Sequence, residues 1–308
     1  MKTLLSYVLF GNEGRFWNNI PYILIANATT FPNFHMKFYN HKDCMNHIFY
    51  PLLSKPAKIF DNIEIEIIDA PIQGTKFTIW RMKPLWENDV DYFFCRDLDY
   101  LVTETERKAV EHFIQSEDKY SMCMRCYHLH TIPLMAGLCG FKVKEVFDSI
   151  KDKAATFESY LQYGIDKLRL DFHEGTDEKW VWGCDQRLLG AFFASMLKEG
   201  HHLDCPLQTG EKAHLVGWNF KPHYFKQYKD IKLPNECDKE IMDFTKTIFS
   251  EHKGDLFIGQ PYITSGYQTN QLLNLACSKG IRMAQLLRDV FNNHPEIKFN
   301  LDEENPLL

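Results

Sequence analysis

The stretch that decides the fold is Tyr92-Phe93-Phe94-Cys95, an uncharged run that ends in Arg96-Asp97-Leu98-Asp99. Such a run is typical of a central parallel strand buried on both faces. Ligands of open α/β sheets bind at the carboxyl ends of strands, so Asp97 and Asp99 stand where a functional acid pair is expected. Two carboxylates there can hold a hard cation such as Mg²⁺ or Mn²⁺. A solvated turn is the alternative interpretation.

The flanking sequence alternates between strand and helix patterns, which predicts an α/β fold with a mostly parallel central sheet flanked by helices. Residues 126–140 contain Pro133, Gly137 and Gly140 and are predicted to form an irregular loop near a site. Strands are predicted at 3–10, 34–40, 63–69 and 119–124. Helices are predicted at 15–28, 42–54 (ending before Pro56), 75–85, 143–150, 154–168, 184–198 and 267–292, the last interrupted near Gly280.

Composition limits the classes of partner. The chain has 308 residues, a net charge of −6 and no basic run, so a nucleic-acid partner is disfavoured. An acidic protein that binds a diphosphate needs a local device, such as a metal ion, an arginine or a helix N-terminus. No segment reaches the length of a membrane span, and the N-terminal apolar residues fit a first strand better than a signal segment.

Nine cysteines are scattered along the chain, and an odd number in a chain of this length argues against a disulfide framework. Cys123 and Cys126 form a lone C-x-x-C without a second pair at zinc-ribbon spacing. Reduced thiols are the expected state, and a reducing cytoplasm is the expected compartment. A metal site at this pair is the alternative.

Two other functions fit parts of the pattern. A phosphatase of the haloacid dehalogenase type would use Asp97 as its nucleophile, but it prefers Thr or Val where this chain has Leu101. A non-catalytic glycan-binding module is the third possibility.

Seven short motifs, in order, carry a resemblance to a known family. They resemble small GT-A glycosyltransferases of large DNA viruses, including chlorella viruses, and of bacterial capsule loci. The resemblance covers about residues 3–260 and implies a GT-A domain over 1–262, with a C-terminal helical extension over 263–308 packed on it. The motifs are Trp80–Met82, Cys95–Tyr100, Glu106–Val110, Met124–His128, Pro133–Gly140, Asp185–Leu189 and Phe257–Gln260.

The resemblance implies a nucleoside-diphosphate-sugar donor, UDP- or GDP-linked, and an oligosaccharide or other glycan acceptor. The strand-end loop at Leu9, Phe10 and Gly11 would border the base and ribose. Asp97 would face ribose or metal, and Asp99 would be the direct metal ligand.

Arg81 and Arg96 would pair with phosphate or brace the acids. Gly137 and Gly140 would let the backbone approach the donor sugar or the acceptor, or form an ordinary turn.

Asp185 is the candidate catalytic base of an inverting reaction, because the family places an acid at this helix start to deprotonate the acceptor hydroxyl. The alternative is that Asp185 caps the helix. His202 is the candidate third metal ligand, and His128 and His130 are candidate acceptor contacts. Departures from the family pattern at Tyr100, Cys126 and Cys139 bear on sugar and acceptor specificity.

Overall fold

A computed structural model describes most of the chain, including every strand discussed below. The described residues are 1–12, 14–70, 74–98, 104–125, 134–168, 184–198, 200–206, 273–274, 276–278 and 280–297.

Within these residues, seven strands form one sheet in the order β3-β2-β1-β4-β6-β5-β7. β1 lies between β2 and β4 and is parallel to both, whereas β6 is antiparallel to its neighbours β4 and β5. The sheet is therefore mostly parallel, as predicted. The strands are β1 Thr3–Leu9, β2 His35–His41, β3 Ile63–Ile68, β4 Tyr92–Cys95, β5 Ser121–Arg125, β6 Cys139–Lys142 and β7 His202–Pro206.

Helices cover both faces of the sheet. Two 3₁₀ helices, Lys42–Asn46 and Gly74–Trp86, accompany the α-helices. The α-helices are α1 Gly14–Thr30, α2 Pro51–Ile59, α3 Glu104–Gln115, α4 Val143–Ile150, α5 Phe157–Leu168, α6 Cys184–Phe192, α7 Ala194–Lys198 and α8 Arg282–Asn293. No helix in the described part of the chain is long and apolar enough to cross a membrane.

β1, at the centre of the sheet, is buried on both of its faces. All seven of its residues are buried. Leu5 and Tyr7 join the core on one side of the sheet, whereas Leu4 and Val8 join the core on the other. A strand with helices on both faces has no solvent side, so its sequence does not alternate between apolar and polar residues.

The C-terminal helix belongs to the first of these cores. α8 contacts α1 and α2, and its residues Met283 and Leu287 are buried in the same cluster as Leu5. Gly280, which precedes α8, has φ +73°, a left-handed conformation that favours glycine and separates α8 from the helical turn before it.

Several boundaries differ from the sequence predictions. The helix predicted at 42–54 is a 3₁₀ helix followed by α2, and α2 continues through Pro56 to Ile59. Proline forfeits one helical hydrogen bond, and the burial of Pro56 with Leu52 and Leu53 against the core offsets that loss. The helix predicted at 184–198 is divided into α6 and α7 near Phe193.

The loop predicted at 126–140 was wrong at its end, because β6 begins at Cys139. Gly140 lies inside this strand, opposite Phe94 of β4. A Cβ atom at position 140 would lie 2.3 Å from Phe94 Cδ1 and 3.1 Å from Met122 Cγ. The glycine is therefore required by close packing on the sheet and does not mark a turn.

This packing predicts that Gly140→Ala destabilises the fold by about 1–3 kcal/mol, the usual cost of an overpacked core. Urea-induced unfolding would measure the loss. Gly190→Ala in α6 is the matched control, since nothing lies within 4 Å of a Cβ atom at position 190 and alanine favours helix. Equal unfolding midpoints for the two variants would contradict the packing argument.

Candidate active site

Asp97 follows β4, as predicted, at the edge where the neighbouring parallel strand also ends. Ser6 of β1 is in register with Cys95 of β4, and the backbone N–H of Arg96 donates to the carbonyl of Ser6 at 3.0 Å. Asp97 therefore leaves the sheet beside the carboxyl end of β1. Asp99 lies outside the described residues.

Arg81 connects Asp97 to a second acid. Its Nη1 lies 2.5 Å from Asp97 Oδ1, and its Nη2 lies 3.5 Å from Asp185 Oδ2. Burial would lower the pKa of Arg81, but the two carboxylates raise it, so the guanidinium stays charged. One buried cation thus brings together the end of β4 and the first turn of α6.

The 3₁₀ helix Gly74–Trp86 fixes the position of Arg81. The Arg81 Nε donates to the carbonyl of Thr78 at 3.0 Å, and the Arg81 carbonyl accepts from Ser6 Oγ at 2.8 Å. The arginine side chain is 4% exposed. Its backbone is therefore tied to β1, while its side chain points toward the two acids.

Asp185 is the more buried of the two acids. It is 7% exposed, whereas the side chain of Asp97 is 43% exposed. Burial raises the pKa of Asp185, and Arg81 together with a hydrogen bond from the Thr78 side chain partly offsets this shift. The Asp185 Oδ1 accepts from the N–H of Gln186 at 2.8 Å. Its ion pair with Arg81 goes beyond what helix capping requires.

Gly137 lies against the Asp97 carboxylate. A Cβ atom at position 137 would be 1.8 Å from Asp97 Oδ2 and 2.2 Å from Asp97 Cγ. Any side chain here would therefore displace the acid. Gly140, which was predicted to share this role, instead packs on Phe94 within the sheet.

The structure places Arg96 away from the exposed acids. Arg96 is 1% exposed and forms an ion pair with Glu106, which is completely buried. The Arg96 Nη1 also donates to the carbonyl of Cys95 at 2.8 Å. Arg96 therefore forms a structural ion pair with Glu106, and its predicted contact with phosphate or with the acids stays a prediction.

His202 is not brought to the acids. It lies in β7, level with Ser121 of β5 and hydrogen-bonded to it, with the Nδ1 atom 3.0 Å from Ser121 Oγ. Ser121 is in register with Phe141, and Phe141 with Phe93. Because Phe93 precedes Asp97 by four residues, His202 lies about 13 Å back along the strands and three strands away.

The predicted base-and-ribose loop, Leu9 to Gly11, lies near the same edge, and two of its backbone carbonyls accept hydrogen bonds from other side chains. The carbonyl of Leu9 accepts from the Cys44 thiol at 3.3 Å, and the carbonyl of Gly11 accepts from Trp17 Nε1 at 3.0 Å. Phe10 is half-buried, with its ring centroid 5.9 Å from that of Phe77. Gly11 has φ +67°, which turns the chain from β1 toward α1.

Asp97 is the described carboxylate of the site that a cation could reach. Arg81 offsets one of the two described carboxylates, and the exposed part of Asp97 is accessible to a ligand. Among described residues, no group of three or more His, Cys, Asp or Glu side chains could hold a metal ion by itself. A cation here would therefore need a further ligand, such as Asp99 or a donor phosphate.

Among the described residues, Cys44, Cys95, Cys123, Cys139, Cys184 and Cys277 are not joined in disulfides. Cys126, His128 and His130 lie outside the described residues, so the C-x-x-C pair and the predicted acceptor contacts remain predictions.

Two residues near the acids were missed from the sequence. Thr78 contacts both Arg81 and Asp185, and Glu106 pairs with Arg96. Thr78 lies two residues before the Trp80–Met82 motif and belongs to no motif itself. In the sequence, Glu106 stands out only as part of the Glu106–Val110 motif. Its role as the partner of Arg96 becomes clear only once Arg96 is known to be buried.

The close approach of Gly137 predicts that Gly137→Ala separates Asp97 from Arg81. A crystal structure of the variant should show Arg81 Nη1 and Asp97 Oδ1 beyond about 4 Å, the limit of an ion pair. Gly190→Ala should leave this distance unchanged. An intact Arg81–Asp97 pair in Gly137→Ala would show that the backbone yields in place of the acid.

Comparison with known proteins gives distant structural likenesses. No protein-family model matches the chain, and no curated protein sequence matches it. Among solved structures, the chain is similar to TarS 1–349 of S. aureus in complex with UDP-GlcNAc, with 12% identity and a TM-score of 0.36, covering 48% of this chain and 47% of that chain.

Two further solved structures are similar to the chain. For the glycosyltransferase GlyE of Streptococcus pneumoniae TIGR4, identity is 11% and the TM-score is 0.41, covering 98% of this chain and 66% of that chain. For a glycosyltransferase involved in the glycosylation of the major capsid of PBCV-1, identity is 11% and the TM-score is 0.30, covering 57% and 79%. The chain spans about half the length of the TarS structure. These similarities are too distant to assign the chain to a family.

Proposed function

We propose that this chain is a glycosyltransferase that moves a sugar from a nucleoside-diphosphate sugar to a glycan hydroxyl. The observation that carries the proposal is the Arg81 bridge between Asp97 and Asp185. It gathers an exposed acid and a buried acid at the carboxyl edge of the sheet, where open α/β sheets bind ligands. The catalytic domain is proposed to span residues 1–262, with 263–308 as a helical extension.

A divalent cation, Mn²⁺ or Mg²⁺, is part of the proposal because of charge. A diphosphate placed beside Asp97 meets an exposed carboxylate whose partner Arg81 is already shared with Asp185. Asp97 and Asp99 would hold the cation, which supplies Lewis-acid stabilisation of the departing nucleoside diphosphate. The proposal does not assign His202 to the cation, because its strand register places it level with Phe93 and not with Asp97.

Asp185 is the proposed base. The acceptor oxygen forms a bond to the anomeric carbon, the bond from that carbon to the diphosphate oxygen breaks, and the hydroxyl proton passes to Asp185. A carboxylate whose pKa is raised by burial accepts a proton more readily than an exposed one. Arg81 and Thr78 orient Asp185 and partly offset the rise in its pKa.

Gly137 and the strand-end loop would define the walls of the donor site. Gly137 has no side chain, which leaves room for the Asp97 carboxylate against its backbone. Phe10 and Gly11 follow β1 at the same edge, next to the proposed position of the base and ribose.

The donor proposal predicts that a nucleotide raises the thermal stability of the full chain only with a divalent cation. A ligand at about 100 times its dissociation constant adds about 2.7 kcal/mol of stability, or several degrees in Tm for a chain of this size. A panel of UDP, GDP and their sugar conjugates, with and without Mn²⁺, would measure this. Asp97→Asn should abolish the shift.

Other outcomes of this panel identify the alternatives. A nucleotide shift that persists in chelator and in Asp97→Asn would refute the cation role. Stabilisation by oligosaccharides with no response to any nucleotide would favour a glycan-binding module. Hydrolysis of a generic phosphomonoester that is lost in Asp97→Asn would favour a phosphatase with an Asp97 nucleophile.

The base proposal predicts how transferase activity depends on pH. Asp185 must be ionised to accept a proton, so kcat/KM should fall on acidification, with an apparent pKa above the ordinary aspartate value of 3.8. Asp185→Asn should lose this limb and about 100- to 10,000-fold in rate. Because the Arg81 charge lowers the pKa of Asp185, Arg81→Gln should move the limb to higher pH.

Arg81→Lys is the matched control for this experiment, since it keeps the positive charge and should leave the acid limb near its wild-type position. Circular dichroism at each pH would verify that the variants stay folded. Identical acid limbs in Asp185→Asn and the wild type would rule out Asp185 as the titrating base.

A further inference from the structure

A buried ion pair joins the two ends of the segment that carries the acids. Arg96 immediately precedes Asp97, and Glu106 is the third residue of α3. Arg96 is 1% exposed and Glu106 is 0% exposed. The pair therefore links the end of β4 to the first turn of α3 inside the core.

Several contacts fix the Arg96 side chain in this position. Its Nη1 donates to the carbonyl of Cys95 at 2.8 Å, its guanidinium lies 5.5 Å from the centre of the Phe94 ring, and its Nη2 lies 4.0 Å from Met124 Sδ. A charge in such apolar surroundings is strongly unfavourable without its counter-charge. Glu106 supplies that counter-charge and thereby determines which way Arg96 points.

The direction of Arg96 determines the direction of its neighbour. Successive side chains of an extended chain point to opposite sides. Arg96 enters the core that contains Phe94 and Met124, and Asp97 points out of that core toward Arg81. If Arg96 lost its partner and left the core, the backbone at Asp97 would have to rotate with it.

We propose that Glu106 is a positioning residue of the active site, which acts through Arg96 to aim Asp97 at the bound cation. The inference rests on the cation role given above to Asp97. It assigns a function to Glu106 through its ion pair with Arg96.

The test compares Glu106→Gln with Val110→Ala in the full chain. Glutamine keeps the size of Glu106 and removes its charge. Val110 lies one turn further along α3, is also 0% exposed, and carries no charge that could pair with Arg96, so its truncation is a purely structural control. Mn²⁺ binding would be measured by electron paramagnetic resonance without nucleotide, at a temperature where both variants are folded.

Glu106→Gln is expected to raise the Mn²⁺ dissociation constant by about tenfold or more, a loss of orientation corresponding to one decade in affinity. Val110→Ala should change it less than about twofold, within the range of ordinary distant substitutions. Equal Mn²⁺ affinities for Glu106→Gln and the wild type would overturn the proposal.

Amide hydrogen exchange tests the positioning role of Glu106 independently of whether Asp97 binds a cation. Exchange in a peptide covering residues 94–106 should be faster in Glu106→Gln than in Val110→Ala. If the wild type binds no Mn²⁺ even after UDP or GDP is added, the proposed cation role fails, and exchange alone decides whether Glu106 positions Asp97. Equal exchange in the two variants would then refute the positioning role.

Discussion

The arrangement of the site depends on one buried cation shared by two acids. Two carboxylates, one at the end of β4 and one at the start of α6, offset the desolvation cost of the buried Arg81 guanidinium. The Ser6 hydroxyl donates to the backbone carbonyl of Arg81, and the carbonyl of Thr78 accepts from Arg81 Nε. Removing the positive charge of Arg81 would leave Asp185 buried near the like charge of Asp97. The sheet, the 3₁₀ helix and α6 are thus mutually constrained through a single side chain.

The centre of the fold could be predicted from local sequence because its residues carry a local signal. The uncharged run before Asp97 indicates a strand buried on both faces, and the strand end indicates where the acid lies. The structure confirms β4 and the position of Asp97 after it. The residues of α4 were likewise predicted with the observed bounds, Val143–Ile150, because its apolar positions follow a helical spacing.

Features that depend on contacts between distant segments could not be predicted in this way. The reversed direction of β6 follows from its hydrogen bonds with β4 and β5, and Gly140 within it resembles a turn residue until Phe94 is placed opposite. His202 follows a helix that leads from Asp185, but strand register puts it level with Phe93. The burial of Arg96 requires knowledge of α3. These properties are set by tertiary packing and not by spacing along the chain.

The antiparallel direction of β6 determines which segments of the chain can change the site without changing β4. In a wholly parallel sheet, the residues entering a strand lie at the edge opposite to those leaving it. Because β6 runs against β4, the approach to β6 through Gly137 reaches the same edge as the exit from β4 at Asp97. Two segments separated by about forty residues therefore meet without sharing a loop. Changes in the approach to β6 can reshape one wall of the cleft while the strand that delivers Asp97 stays as it is.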